Sequence, residues 1–127
     1  MKEPKWVLRD VVIAVQQMLL AEHGGLSGIR DEALLDSALS RPQNLFAYTV
    51  PVSIVDLAAS YSYGLALNHP FIDGNKRVAL TVAAIFLELN GYSLNATETE
   101  TVITFEHLAS GLLTEKQLSC WFQDYSL

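Results

Sequence analysis

The chain has 127 residues, half of them hydrophobic, and carries a formal net charge of −6 at pH 7. This length can bury one core and is too short for two independently folded units, so a single domain over residues 1–127 is expected. Eight basic residues against fourteen acidic ones argue against gripping nucleic acid or an anionic membrane through a cationic surface, and the high apolar content argues against disorder.

Cys120 is the single cysteine, so neither an intrachain disulfide nor a structural zinc site of thiolates can form. Burial beside Trp121 is its expected place. The segment Met1-Lys2-Glu3-Pro4-Lys5 lacks the apolar core of a secretion signal. The longest uncharged run, Leu57 to Ile72, is interrupted by Ser60, Ser62, Asn68, His69 and Pro70, too short and too polar to span a bilayer. A cytoplasmic, soluble protein is the expectation.

In chain order, Trp6 to Glu22 has apolar residues at helical spacing (Val7, Val11, Ala14, Val15, Met18, Leu19), with His23-Gly24-Gly25 as a stop. Asp31 starts a second helix with Leu34, Leu35, Ala38 and Leu39 on one face, stopping near Pro42. Asn44 to Val52 reads as irregular or briefly extended. Ile54 to Leu67 and Val78 to Leu89 are apolar nearly all round, which demands burial on most sides. Thr97 to Ser110 and Thr114 to Tyr125 read as outer helices, with Trp6, Trp121, Phe122 and Tyr125 packing between the terminal ones. No run alternates as a strand. The fold class is all-α, a compact helical bundle with two central helices wrapped by the others.

Chemistry concentrates between those central helices, at His69-Pro70-Phe71-Ile72-Asp73-Gly74-Asn75-Lys76-Arg77. From Pro42 to Glu115 the only basic residues are Lys76 and Arg77. Pro70 disfavours helical geometry at His69, so the first central helix ends there. The second begins around Gly74 and points its free N–H groups and positive dipole end into the loop. Gly74 permits close backbone approach, and Lys76 and Arg77 add charge, which together suit a pyrophosphate or triphosphate. Asp73 is placed to hold a magnesium ion, which takes few carboxylates beside phosphate oxygens and water. The imidazole of His69 is suited to taking a proton from an attacking hydroxyl. These are parts for phosphoryl or nucleotidyl transfer. Each residue also has a plainer reading. Asp73 can cap the next helix, His69 can be structural, Lys76 and Arg77 can be solvated, and Phe71 anchors the loop in the core either way. The plainer readings do not explain why all these groups share nine residues.

At this loop the sequence resembles the Fic/Doc family, and within it the death-on-curing branch, whose signature His-x-Phe-x-Asp-(Ala/Gly)-Asn-Lys-Arg is matched without a gap at residues 69–77. The likeness extends to Gly24-Gly25-Leu26 and to Arg30 through Pro42. It implies the all-helical Fic fold, the toxin half of a toxin–antitoxin pair, and ATP with magnesium as co-substrate. It makes His69 the catalytic base, Asp73 the metal ligand, and Gly74, Asn75, Lys76 and Arg77 the phosphate cradle. Fic adenylyltransferases carry glycine where this chain has Lys76, and a second arginine where it has Leu80. Both departures favour transfer of the γ-phosphoryl group over transfer of AMP. The implied target is a translation component such as elongation factor Tu. An adenylyltransferase and a catalytically idle helical binding module are the alternatives.

No internal Ser/Thr-x-x-x-Glu-Gly/Asn inhibitory motif is present, so inhibition would fall to an antitoxin helix, and operator DNA contact to the antitoxin. Arg30-Asp31-Glu32 reads as a helix start. Arg41 either assists the site or pairs with an acid. Phe46 and Tyr48 either touch a protein partner or join the core, and His23 and His107 read as structural.

Overall fold

The computed structural model describes residues 2–127, and among them the chain forms six helices and no strand. They are α1 (Arg9–His23), α2 (Glu32–Tyr48), α3 (Ile54–Asn68), α4 (Asn75–Leu89), α5 (Glu98–Ala109) and α6 (Glu115–Tyr125). Two isolated bridges, Ile29 with Phe71 and Leu94 with Ser126, tie loops together. Among the described residues no helix is long and apolar enough to cross a membrane.

α3 is the axis of the bundle. A reciprocal capping box starts it: the Ser53 hydroxyl accepts the Asp56 N–H and the Asp56 carboxylate accepts the Ser53 N–H. Ten of its fifteen residues are buried, and α2, α4, α5 and α6 all pack on it. Small residues make such crowding possible. A Cβ on Gly64 would stand 3.2 Å from the Ala38 backbone, so α2 and α3 approach as closely as glycine allows. Ser62 donates to the Ala79 carbonyl at 2.7 Å and fixes α3 against α4. Tyr61, fully buried, accepts the Val7 N–H at 3.1 Å; burial pushes its phenol up to about 12.

α4 departs from the expectation of burial all round. Val78, Ala79, Val82, Ala83, Phe86 and Leu87 are buried, while Leu80, Thr81, Ala84 and Ile85 stay half-exposed. It is a one-sided helix, covered by α3 and α1. The buried face of α1 is also rotated from the one expected. Val12, Val15 and Gln16 are inside, and Val11 and Met18 are exposed.

α2 does not stop near Pro42. The ring is buried inside the helix, which continues through residues 44–48, so only 49–53 are irregular. Proline removes one helical N–H and so costs stability. Leu45 and Phe46 beyond it pack against the core and hold the extra turn in place.

The aromatic residues form two clusters rather than one. Trp6 stacks on Phe86 and meets Phe46 edge-on, each at 5.9 Å between ring centroids. Its segment is held by Asn90, whose side chain bonds both the N–H and the carbonyl of Lys5. Trp121, Phe122 and Tyr125 gather instead around Phe105 of α5. Cys120 is exposed, not buried: Leu118, Ser119 and Phe122 take the core face of α6, and position 120 points away from it.

Candidate active site

The loop between α3 and α4 brings the sequence motif together at one end of the bundle. α3 stops at Asn68, and His69 caps it in the left-handed region, at φ 47° and ψ 56°, with its side chain exposed. Pro70 and Phe71 turn inward, and Phe71 is 1% exposed. Asn75 spends its amide on this turn. Its oxygen accepts the Phe71 N–H at 3.0 Å and its nitrogen donates to the Phe71 carbonyl at 2.9 Å. What Asn75 leaves free at the start of α4 is its main-chain N–H.

The segment from Gly25 to Asp31 grips the other side of the loop. The N–H groups of Arg30 and Asp31 both donate to the Pro70 carbonyl, at 2.7 and 3.1 Å, and the Ile72 N–H donates to the Gly28 carbonyl. The Arg30 guanidinium donates to the carbonyls of His69 and Asn68, at 2.7 and 2.8 Å. Asp31 caps α2 as expected, accepting from Leu34 N–H, and Glu32 pairs with Arg9. Arg30 itself reaches past the helix start to the motif loop.

Asp73 does not cap α4. Gly74 occupies that position at φ 81°, with no side-chain hydrogen bond to the first turn. The Asp73 carboxylate is turned instead onto the Leu26 N–H, at 2.8 Å. Gly25 has to be glycine for this approach: at φ 120°, a Cβ there would lie 2.8 Å from Leu20 and 3.4 Å from the Asp73 Cβ. Gln16, 2% exposed, donates to the Asp73 carbonyl at 3.3 Å. A glutamine between Val12 and Leu19 is the signal that could have found it, since a buried amide needs a partner.

α2, α3, α5 and α6 each begin with a side-chain cap, at Asp31, Ser53, Thr97 and Thr114. The start of α4 has none, as is also true of α1, and its first-turn residues line a groove of about 340 Å³. Gly74, Asn75, Lys76 and Arg77 form one side of that groove, and Leu80 continues it; Thr101, Val102, Phe105 and Glu106 of α5 close it. Lys76 reaches across to Glu106, Nζ to Oε1 at 2.6 Å, while Arg77 is exposed with no carboxylate in ion-pair range among the described residues. His69 and Asp73 are not among the residues lining this groove. They share the turn with it but not its walls.

No group of three or more His, Cys, Asp or Glu among the described residues could cage a metal ion. Asp73 alone, with one oxygen engaged by Leu26, fits a cation that takes one carboxylate and completes its shell with phosphate oxygens and water. Arg41 lies away from the loop, paired with Glu115 of α6 and stacked 5.1 Å over the Tyr63 ring. Phe46 joins the Trp6 cluster, and Tyr48 is 86% exposed at the end of α2. His23 and His107 are exposed in the last turns of α1 and α5.

The sequence is 42% identical over 74 residues to Toxin Doc of Mycolicibacterium smegmatis, covering 58% of this chain and 57% of that one. It is 34% identical over 82 residues to Protein kinase doc of Escherichia phage P1, covering 65% of each. The chain thus spans about three fifths of the length of these curated relatives. The sequence model of the Fic/DOC family matches residues 6–87, which run from ahead of α1 almost to the end of α4 and include the whole motif loop. With well over half its length matched, the chain belongs to the Fic/DOC family.

Proposed function

We propose that this chain is the toxin half of a toxin–antitoxin pair, a single domain over residues 1–127 working in the cytoplasm. It transfers the γ-phosphoryl group of ATP to a hydroxyl on a protein of the translation apparatus, of which elongation factor Tu is the first candidate. The observation that carries this reading is the bare start of α4: Gly74 through Arg77 open onto a groove, one turn from an exposed His69.

Each residue then has a role. A ring nitrogen of His69 takes the proton of the target hydroxyl as its oxygen bonds to the γ-phosphorus; the bond from that phosphorus to the β–γ bridging oxygen breaks, and ADP leaves. The main-chain N–H groups from Gly74 to Arg77 and the Arg77 guanidinium hold the phosphate oxygens, and Lys76 joins them when it releases Glu106. Asp73 would hold a magnesium ion, which when bound would supply charge neutralisation on the polyphosphate.

The groove favours phosphoryl over adenylyl transfer. Beyond Lys76 and Arg77 it presents Leu80, Val102 and Phe105, which offer a phosphate no donor and suit a nucleoside. A nucleoside there directs the far end of the triphosphate towards His69. The names borne by the two relatives, one a toxin and one a protein kinase, support the same reading. With no inhibitory motif in the sequence, the partner that restrains the enzyme is an antitoxin segment.

Label transfer tests this. Bacterial lysate is incubated with the protein and ATP labelled at either the α or the γ phosphorus. Label arrives on one protein band from the γ position alone, and His69→Ala lowers it at least about a hundredfold. Label from the α position makes the chain an adenylyltransferase. Label from neither leaves the idle binding module.

A further inference from the structure

We propose that Arg30 is a positioning residue that sets the direction of the His69 side chain, an inference that rests on the role given to His69 above. From one Cα it holds three consecutive residues. Its guanidinium donates to the carbonyls of His69 and Asn68 at 2.7 and 2.8 Å, and its main-chain N–H donates to the carbonyl of Pro70 at 2.7 Å.

Those side-chain bonds fall where the backbone needs them. The last carbonyls of a helix have no partner within it, and they carry its negative dipole end. A guanidinium there makes charge-assisted bonds to two adjacent acceptors in one plane, a geometry that a lysine ammonium does not reproduce.

His69 is the one non-glycine residue with positive φ among the described residues. Such a conformation is disfavoured for a residue with a side chain, and Pro70 pushes the preceding residue towards extended backbone instead. Two preferences therefore pull His69 out of the left-handed region, and Arg30 opposes both. Release would swing the Cα–Cβ bond, and with it the imidazole, into a different direction. Strain held at a reactive side chain by a neighbouring cation is a way to keep a base aimed before substrate arrives.

The test compares Arg30→Ala and Arg30→Lys with the wild-type full chain. The backbone of His69 is read directly by the three-bond HN–Hα coupling and its Cα and Cβ chemical shifts. In Arg30→Ala the left-handed signature is lost. The turnover rate of γ-label transfer falls about 10- to 100-fold, while KM for ATP stays within about twofold, because the cradle at α4 is untouched. Millimolar guanidinium restores part of the rate. Arg30→Lys, which keeps the charge but not the fork, lies between the two.

An Arg30→Ala protein that keeps the His69 coupling and the wild-type rate overturns the proposal, as does a lost rate explained by KM alone. If the alanine variant does not fold, the lysine variant decides on the same readouts. Absence of transfer by the wild type would sink the enzymatic reading, and the coupling would still show whether Arg30 holds His69.

Discussion

The two flanks of the motif loop are built differently. From Asn68 to Asp73 most polar main-chain groups have a partner, supplied outside the helix by Gln16, Gly28, Arg30, Asp31 or Asn75. From Gly74 to Arg77 the backbone has no side-chain cap, and one of its two cations is on loan to α5. The first flank is held in place and the second is left open. A base has to be aimed before the substrate arrives, whereas a polyphosphate site must keep donors free to exchange water for ligand. Fixing one side and leaving the other available meets both demands within nine residues.

Asn75 sits at the junction, so changing it has the largest effect. Asn75→Ala removes both bonds to Phe71 and should cost about 1–3 kcal/mol in chemical denaturation. Label transfer should fall more than tenfold, since both flanks lose their common pin. A variant that loses stability but keeps its rate would show that the two flanks are held independently.

Ser119→Ala gives a comparable stability loss placed far from either flank. Burial raises the pKa of Asp56, but the Ser119 hydroxyl at 2.5 Å, the Ser53 groups and Lys116 outweigh it and hold the carboxyl below its usual 3.8. A carboxyl depressed in the folded state contributes stability above its unfolded pKa and loses it as pH falls through the folded value. Ser119→Ala should therefore cost about 1 kcal/mol at pH 7, with the gap from wild type closing below about pH 4. Nucleotide binding and transfer should not change. A change in either would mean that the far end of α3 reaches the loop.

The smallest effect sharpens the picture of the open flank. Glu106→Gln frees Lys76 without altering shape. An exposed ion pair of this kind is weak, so ATP affinity by calorimetry should rise only about two- to fivefold. Unchanged affinity would mean that Lys76 does not meet the nucleotide.

Much of this arrangement was legible from residue order. The starts of α5 and α6 followed from Thr97 and Thr114, the end of α4 from the close of its apolar run at Leu89, and the break at His69-Pro70 from the proline rule. Periodicity missed what depends on partners distant in sequence. Arg30 reads as a helix start because its neighbours Asp31 and Glu32 are one; its bonds to residues 38 and 39 positions away leave no local trace. Pro42 reads as a stop because local rules charge it the lost N–H, without the packing of Leu45 and Phe46 that offsets it. Asp73 and Asn75 were legible as neighbours on one loop between two helices. Their actual bonds, to Leu26 and Phe71, depend on how the loop closes.

The outward-facing thiol on α6 has a practical use. Cys120 is the sole cysteine, and the α6 neighbour that bonds the first turn of α3, Ser119, adjoins it in sequence; the motif loop lies at the opposite end of α3, about 20 Å along the helix axis. A maleimide dye attached there, with no other residue competing for it, would report on complexes formed at the loop by tumbling rate or energy transfer, and the native protein would need no added cysteine.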